Sequence, residues 1–364
     1  MNILFLTYQG GIAGSTNSII YLSKALADKG HTIYIGCSKD RLLWQALENS
    51  NVKLWEIDFK NKIDISSAKK IAKFAKENSI DIVNAQSSKD RYASSLAKGL
   101  FGMKAKVVHT RRQVSKSAGF FIQKLFYEKW TDAIVAVSRG VKQSLINIGL
   151  PENKIEVIYN GSPLEKYLNI NYDKTLELKE KLNINQNCFV IGCVSRRKKQ
   201  IQLLKAAAKI KTDKLIKIIF IGIEDIEDKE KIMKNLPSNV NVYFEGIKTN
   251  EETLAYYKIF DVFVLPSTTE GFSQSLLESC FMGVPAIATN ASGNNELISD
   301  RIDGFLFEDG NIDELTEKIE LLMNDENLRK TFAERMKEKA KKFFTIECVR
   351  DNYENFFIKL IQNN

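Results

Sequence analysis

The run Glu270-Gly271-Phe272-Ser273-Gln274-Ser275-Leu276-Leu277-Glu278 sets two carboxylates eight positions apart, the first in a glycine-containing loop and the second in a helix-forming stretch. The apolar residues 262–265 and Pro266 come just before it. The loop therefore leaves the end of a strand, and loop and helix aim both carboxylates at one strand-end crevice. Carboxylates there can accept hydrogen bonds from sugar or ribose hydroxyls, and Gly271 lets backbone N–H groups approach a ligand. The competing reading makes Glu270 an acid at a helix N-terminus and Glu278 a solvated helix residue.

Two further segments could hold an anion. Ser195-Arg196-Arg197-Lys198-Lys199 follows the apolar run 189–194 and enters a helix expected over 200–210. Four consecutive cations at a strand's carboxyl end focus positive charge, although a solvated basic turn has the same composition. Residues 9–17, QGGIAGSTN, lie between the first strand and the first helix. Glycines and a helix N-terminus suit a phosphate or sugar contact, with a purely structural turn as the alternative. Gly10-Gly11-Ile12-Ala13-Gly14 is not GxGxxG, and Gly36-Cys37-Ser38 closes the second strand without an acid, which argues against a nicotinamide dehydrogenase.

The elements that must position these residues alternate. Strands are expected at 3–7, 32–37, 53–57, 80–85, 106–110 and 133–137, and a fresh series at 189–194, 216–221, 240–244, 262–265 and 286–288. Helical patterns such as 17–29 separate them, so the units are βαβ and the sheets parallel. The fold class is α/β: two Rossmann-like, doubly wound domains in tandem. The turn chemistry of Asn160-Gly161-Ser162-Pro163 marks the join. The expected division is 1–165, 166–344 and a terminal helix, 345–364, whose stripe of Val349, Tyr353, Phe356, Phe357 and Leu360 must dock, most simply back on the first domain.

The 364 residues are 44% hydrophobic and 27% charged with five prolines, enough for two ordinary cores and far from disorder. Five cysteines without a CxxC point to a reducing compartment, and two histidines nearly exclude a His-rich zinc site. No apolar run of membrane-spanning length occurs, and MNILFLTYQGG lacks the marks of a signal peptide, so a cytoplasmic protein is expected. Residues 1–165 carry 24 Lys and Arg against 14 Asp and Glu, whereas 166–364 carry 29 against 31. All the excess positive charge therefore lies in the first half, which calls for an anionic partner. The segment 116–130 mixes basic and aromatic residues, with Phe121, Leu125 and Lys129 on one side of a helix. It could rest on an anionic membrane surface or form a core helix with a solvated basic face. No nucleic-acid-binding motif accompanies it.

EGFSQSLLE resembles the E-x7-E signature of retaining glycosyltransferases with the GT-B fold, glycosyltransferase family 4. The loop at Gly14 before ALADKGH, the segment TDAIVAVSRGVKQSL, the linker IEVIYNGSP and the stretch from EGIKTNEETL through GVPAIATNASGNNELI are similar to further family elements in the same order. The resemblance spans nearly the whole chain. It implies two domains facing a central cleft, the first for the acceptor and the second for a nucleotide sugar, UDP- or GDP-linked. It implies that Arg196 and Lys199 bind the diphosphate, with Arg197 or Lys198 able to take either role because the loop is shortened. Glu278 would hold the ribose, and Glu270 with the Gly271-Phe272-Ser273 backbone the donor sugar. Gly14 would touch phosphate, with Ala13 where a second glycine is common, and His109 would lie near the donor sugar. His31 is read as structural.

The resemblance further implies a retaining, metal-independent hexosyltransferase with no bound cofactor. The leaving phosphate would take the acceptor proton, while cations stabilise the charge it gains. No Asp-x-Asp occurs, so the metal signature of the other major glycosyltransferase fold is missing. The expected product is a bacterial surface glycan, polysaccharide or lipopolysaccharide, built on a glycan or lipid-linked acceptor at the inner face of the cytoplasmic membrane. The alternatives are another GT-B enzyme, such as a sugar-nucleotide epimerase, and a non-catalytic membrane-associated scaffold.

Overall fold

The computed structural model describes residues 1–11, 13–114 and 126–363. The chain divides into two units, Met1–Pro163 with Phe344–Asn364, and Leu164–Phe343.

Unit 1 is built on seven parallel strands: β1 (Asn2–Leu6), β2 (Thr32–Cys37), β3 (Lys53–Glu56), β4 (Ile82–Ala85), β5 (Lys106–Arg111), β6 (Ala133–Ala136) and β7 (Ile155–Val157). Their order in the sheet is β3-β2-β1-β4-β5-β6-β7. Helices α1 (Gly14–Asp28), α2 (Leu42–Leu47), α3 (Ile65–Glu77), α4 (Ser88–Phe101) and α5 (Arg139–Asn147) connect them. Side chains alternate across a strand, so β1 feeds two cores. Ile3 and Phe5 pack with Ile19, Leu22 and Leu26 of α1. Leu4 and Leu6 pack with Ala68 and Ile71 of α3 and Leu96 of α4. Asp64 starts α3 by accepting from Ser67 N at 3.0 Å.

The last helix, α14 (Ile346–Gln362), closes the first of these cores with Ile346, Val349, Tyr353 and Phe357. Ser162 N donates to Phe344 O at 3.1 Å and Ile346 N to Ser162 O at 3.0 Å, which joins the outgoing and returning chain.

Unit 2 repeats the plan with six parallel strands: β8 (Cys188–Val194), β9 (Leu215–Ile221), β10 (Val240–Phe244), β11 (Val262–Leu265), β12 (Ala286–Thr289) and β13 (Phe305–Phe307), in the order β10-β9-β8-β11-β12-β13. Its helices are α6 (Tyr172–Lys181), α7 (Ile201–Ala207), α8 (Lys229–Met233), α9 (Asn250–Tyr257), α10 (Gln274–Met282), α11 (Asn294–Leu297), α12 (Ile312–Asn324) and α13 (Glu326–Phe343). Ile191, Ile218, Phe220, Val264 and Ile287 form the sheet side of a core covered by Leu203 and Leu204 of α7 and Ile319 and Leu322 of α12. The winding direction reverses between β1 and β4 in unit 1 and between β8 and β11 in unit 2. Those reversals are where a doubly wound sheet opens a crevice for a ligand.

The eleven strands expected from the sequence are all present. The two that were not expected, β7 and β13, are three-residue strands at sheet edges, too short to show alternation. Among the described residues no helix is long and apolar enough to cross a membrane. Of the basic aromatic segment 116–130, residues 116–125 lie outside the described residues. At its other end Phe126 and Tyr127 are buried, and Phe126 joins the core under α3 and α4.

Phe357 is fully buried, whereas Ile358 is exposed on the other side of the same helix. Phe357→Ala is expected to destabilise unit 1 by about 3–5 kcal/mol, and Ile358→Ala by less than about 0.5 kcal/mol. Urea unfolding followed by far-UV circular dichroism checks this; equal effects would mean that α14 is not part of the core.

Candidate functional site

In unit 2 the chain leaves β8 through Ser195–Lys199 and leaves β11 through residues 266–273. Because β8 and β11 pair directly, these two loops emerge side by side. The basic loop is folded back on itself by Gln200, a buried residue. Its Nε2 donates to Ser195 Oγ at 2.9 Å and Arg196 O at 2.8 Å, and its Oε1 accepts from Lys198 N at 2.7 Å. This sends the four cations in different directions. Lys198 Nζ forms an ion pair with Glu270 Oε1. Lys199 pairs with Asp309, on the loop after β13, and so is not among the groups gathered at Glu270. Arg197 Nη2 donates to Asp225 O at 3.2 Å. Arg196 is exposed, and no hydrogen bond or ion pair holds its guanidinium among the described residues. Of the two lysines open to the diphosphate role, the geometry thus brings Lys198, rather than Lys199, to the loop of Glu270.

The loop of Glu270 is itself rigidly seated. Ser273 caps α10, its Oγ accepting from Leu276 N at 3.3 Å, and Phe272 is buried. Asn294 Nδ2 donates to Ser267 O and Thr289 O, both at 3.1 Å, and ties the ends of β11 and β12 together. Gly293 has φ +88°, and a Cβ there would lie 2.5 Å from Gly271 O and 2.8 Å from Glu270 O. Only glycine lets the next loop come this close. Gly222, at φ +91°, brings the end of β9 equally near Ser195 O.

Glu278 is not a solvated helix residue. It is 7% exposed, and its Oε1 accepts from Lys166 Nζ at 2.5 Å. Lys166 lies in the turn Leu164–Tyr167, which is anchored by the stacking of Tyr167 on Phe281 at 4.7 Å. Tyr257 OH donates to Ser275 O at 2.7 Å beneath the same helix; burial, then the charge of Glu278, pushes its phenol well above the ordinary range. Each carboxylate is therefore held by one lysine, Glu270 by Lys198 and Glu278 by Lys166. A hydroxylated, anionic ligand fits this arrangement, because it offers hydroxyls to the carboxylates and oxyanions to the lysines.

In unit 1, Gly14 opens α1 behind the extended Ala13, and Thr16 Oγ1 donates to Gly11 O at 2.7 Å. The loop before it is braced by a residue the sequence reading missed. Asp90, fully buried, accepts from Tyr8 N at 3.3 Å, Gln86 N at 2.8 Å and Ser87 N at 2.7 Å, so one carboxylate links the loops after β1 and β4. Burial pushes its carboxyl up to about 6. The spacing Ser87-x-x-Asp90 is a capping-box pattern and could have exposed it. Nothing in the sequence marks Lys166, Gln200 or Asp309 as partners of the site.

His109 is 2% exposed on β5, with Nε2 3.2 Å from Ser95 Oγ and the ring edge-on to Tyr127. Burial first, then the nearby Arg91 and Arg111, hold it well below 6.5, so at neutral pH it is an uncharged imidazole. His31 sits between the N-terminal amine and Glu354, at 3.2 and 2.8 Å. Among the described residues no group of three His, Cys, Asp or Glu could hold a metal ion.

In the unfolded chain His109 takes up its proton near pH 6.5, and in the folded chain only well below it. Stability attributable to this residue is complete above pH 6.5 and is lost as the pH falls, by up to about 1.4 kcal/mol per pH unit, until the folded value is reached. Thermal melts of wild type and His109→Gln from pH 7.5 to 5 test this. The wild type is expected to lose ground to the variant on acidification, and a constant difference would rule out the neutral buried state.

Residues 171–343 match the family described as glycosyl transferases group 1, and residues 12–166 match Glycosyltransferase Family 4. The capsular polysaccharide biosynthesis glycosyltransferase CapM of Staphylococcus aureus is 32% identical over 235 residues, covering 62% of this chain and 60% of its own. The UDP-Gal:alpha-D-GlcNAc-diphosphoundecaprenol alpha-1,3-galactosyltransferase of Escherichia coli is 28% identical over 320 residues, covering 82% of this chain and 81% of its own. The chain thus spans about 60% of the length of some curated relatives it matches and more of others. The crystal structure of a glycosyltransferase from Rickettsia africae ESF-5 superposes with a TM-score of 0.86 at 23% identity, covering 100% of this chain and 99% of that one.

Proposed function

Because this chain belongs to the family 4 glycosyltransferases and has their GT-B type of two Rossmann-like domains, we propose that it transfers a sugar from a nucleoside-diphosphate donor to a glycan or lipid-linked acceptor in surface polysaccharide synthesis. The observation that carries this reading is the Lys198–Glu270 pair at the switch point between β8 and β11. Unit 2 holds the donor. Glu278 receives the ribose hydroxyls, releasing Lys166, and Glu270 with the backbone of Gly271–Ser273 receives the sugar hydroxyls, releasing Lys198. Lys198 and Arg196 then face the diphosphate.

The reaction breaks the bond between the anomeric carbon and the diphosphate oxygen while an acceptor oxygen bonds to that carbon on the same face. The electron pair of the broken bond stays on the diphosphate, and that phosphate oxygen takes the acceptor proton. Arg196 and Lys198 stabilise the charge as it appears, without a metal ion. Configuration at the anomeric carbon is retained. The E. coli relative named above uses UDP-galactose and a diphosphoundecaprenol-linked acceptor, and this supports a UDP-linked donor and an acceptor at the inner face of the cytoplasmic membrane. The positive balance of residues 1–165 suits an anionic acceptor, or an anionic membrane surface that carries it.

Thermal shift in EDTA with UDP, GDP, ADP and CMP provides the test. One nucleoside diphosphate should raise the melting temperature, by the equivalent of about 2.7 kcal/mol at a hundredfold excess over Kd. Lys198→Ala should remove most of that rise and Lys199→Ala little of it. Glu270→Gln should slow donor turnover by about a hundredfold or more. Absence of any shift, or equal shifts in both lysine variants, would overturn the assignment of Lys198.

A further inference from the structure

The carboxyl ends of β4 and β5 in unit 1 gather a second set of polar side chains. Arg112 follows β5 directly. Its Nη1 donates to Asn160 Oδ1, and its Nη2 donates to Gln86 Oε1 at 2.9 Å. Gln86 Nε2 donates in turn to Asn84 Oδ1 at 2.9 Å and to Thr110 Oγ1 at 3.3 Å, and Thr110 Oγ1 donates to Asn84 Oδ1 at 2.8 Å. Asn84 is fully buried. Its Nδ2 and the Nε of Arg112 are both buried without a hydrogen-bond partner.

Both acceptors hydrogen-bonded to this guanidinium are neutral amides, and the phenol of Tyr353 lies near it. Amide oxygens fix its plane but leave its charge whole, and no carboxylate pairs with Arg112 among the described residues. Residues 115–125 contain no Asp or Glu, so they cannot supply one either. Arg91 Nη1 donates to Thr110 O at 3.4 Å and Arg111 Nη1 to Tyr127 OH at 2.7 Å, which brings two more guanidinium groups to the same strand ends. Burial lowers the pKa of both Arg111 and Arg112. A partly exposed cation with five N–H donors, two of them used and none met by an anion, is an oriented receptor for an oxyanion. Phosphate matches that planar fork better than a neutral hydroxyl does.

We propose that Arg112, oriented by Gln86 and Asn160 and flanked by Arg91 and Arg111, is a binding site in unit 1 for a phosphate or diphosphate group carried by the acceptor. The assignment rests on the transferase reading above and adds to it an anionic acceptor and the residue that recognises it.

Inorganic pyrophosphate and geranyl diphosphate are the probes, octyl glucoside is the neutral control, and isothermal titration is the readout. A background of Arg196→Ala with Lys198→Ala removes the proposed donor diphosphate contacts. In that background pyrophosphate should still bind, and adding Arg112→Gln should weaken it by about tenfold or more, with partial recovery in Arg112→Lys. Octyl glucoside should give the same response with and without the Arg112→Gln change. Tighter binding of geranyl diphosphate than pyrophosphate supports a lipid-linked phosphate, and equal binding supports a phosphate on a soluble glycan. If Arg112→Gln does not melt cooperatively, Arg91→Gln replaces it, with a weakening of about threefold or more expected. No pyrophosphate binding in the background, or binding that no arginine variant weakens, overturns the proposal. UDP binding by otherwise wild-type protein reads the donor assignment separately, so the two can fail independently.

Discussion

The pairing of β8 with β11 is the constraint on which the arrangement around Glu270 depends. Parallel strands send all their carboxyl ends to one edge, and here the two central strands are far apart in sequence but adjacent in the sheet. The loop that carries four cations and the loop that carries Glu270 are therefore neighbours because of topology. Neither loop holds its shape alone. Gln200 folds the first, and Asn294 with the close approach of Gly293 supports the second. Preorganisation of this kind matters because a group that must move to meet developing charge stabilises it less.

Electrostatics separates the two units in a related way. In unit 2 Glu270 and Glu278 each have a lysine partner, so their charges are balanced within the unit. In unit 1 Arg112 is met by the amides of Gln86 and Asn160, and Arg111 donates to the phenol of Tyr127. His109 stays neutral beside Arg91 and Arg111, which avoids adding one more charge to a cluster already rich in them. Asp90 is the exception, and its two oxygens are committed to backbone N–H groups of the loops after β1 and β4. It organises backbone rather than neutralising arginine.

Much of this architecture was legible in the sequence, because strands of four or more residues announce themselves by composition and spacing. The strands β7 and β13 were not, since three residues at a sheet edge carry no periodicity. The loops that bear Glu270 and the four cations were also legible, from their position after apolar strands. What could not be read was which side chains meet. Lys198 and Glu270 are 72 residues apart and Lys166 and Glu278 are 112 apart, so each contact is made by the sheet order and not by local pattern. The sequence match favoured Lys199 on spacing. The structure instead places that ammonium on Asp309, because Gln200 turns the shortened loop at Lys198. Glu278 read equally well as a surface residue until its burial against Lys166 was visible.

The lysine–carboxylate pairs also bear on how such a site can remain stable while empty. A buried or half-buried carboxylate without a partner carries a desolvation cost, and so does an ammonium. Pairing them internally offsets both costs in the absence of ligand. A nucleotide sugar brings hydroxyls and oxyanions together, so it can replace both halves of a pair at once and leave neither group unsatisfied. A neutral sugar would free a lysine with nothing to meet it, and a simple phosphate would free a carboxylate. The pairs thus favour ligands that carry both functions, which makes them a source of selectivity as well as of stability. Arg112 follows the opposite design. Its amide partners need not be displaced, and any oxyanion that reaches it meets an undiminished charge. Recognition there combines that charge with the fixed plane of the guanidinium fork.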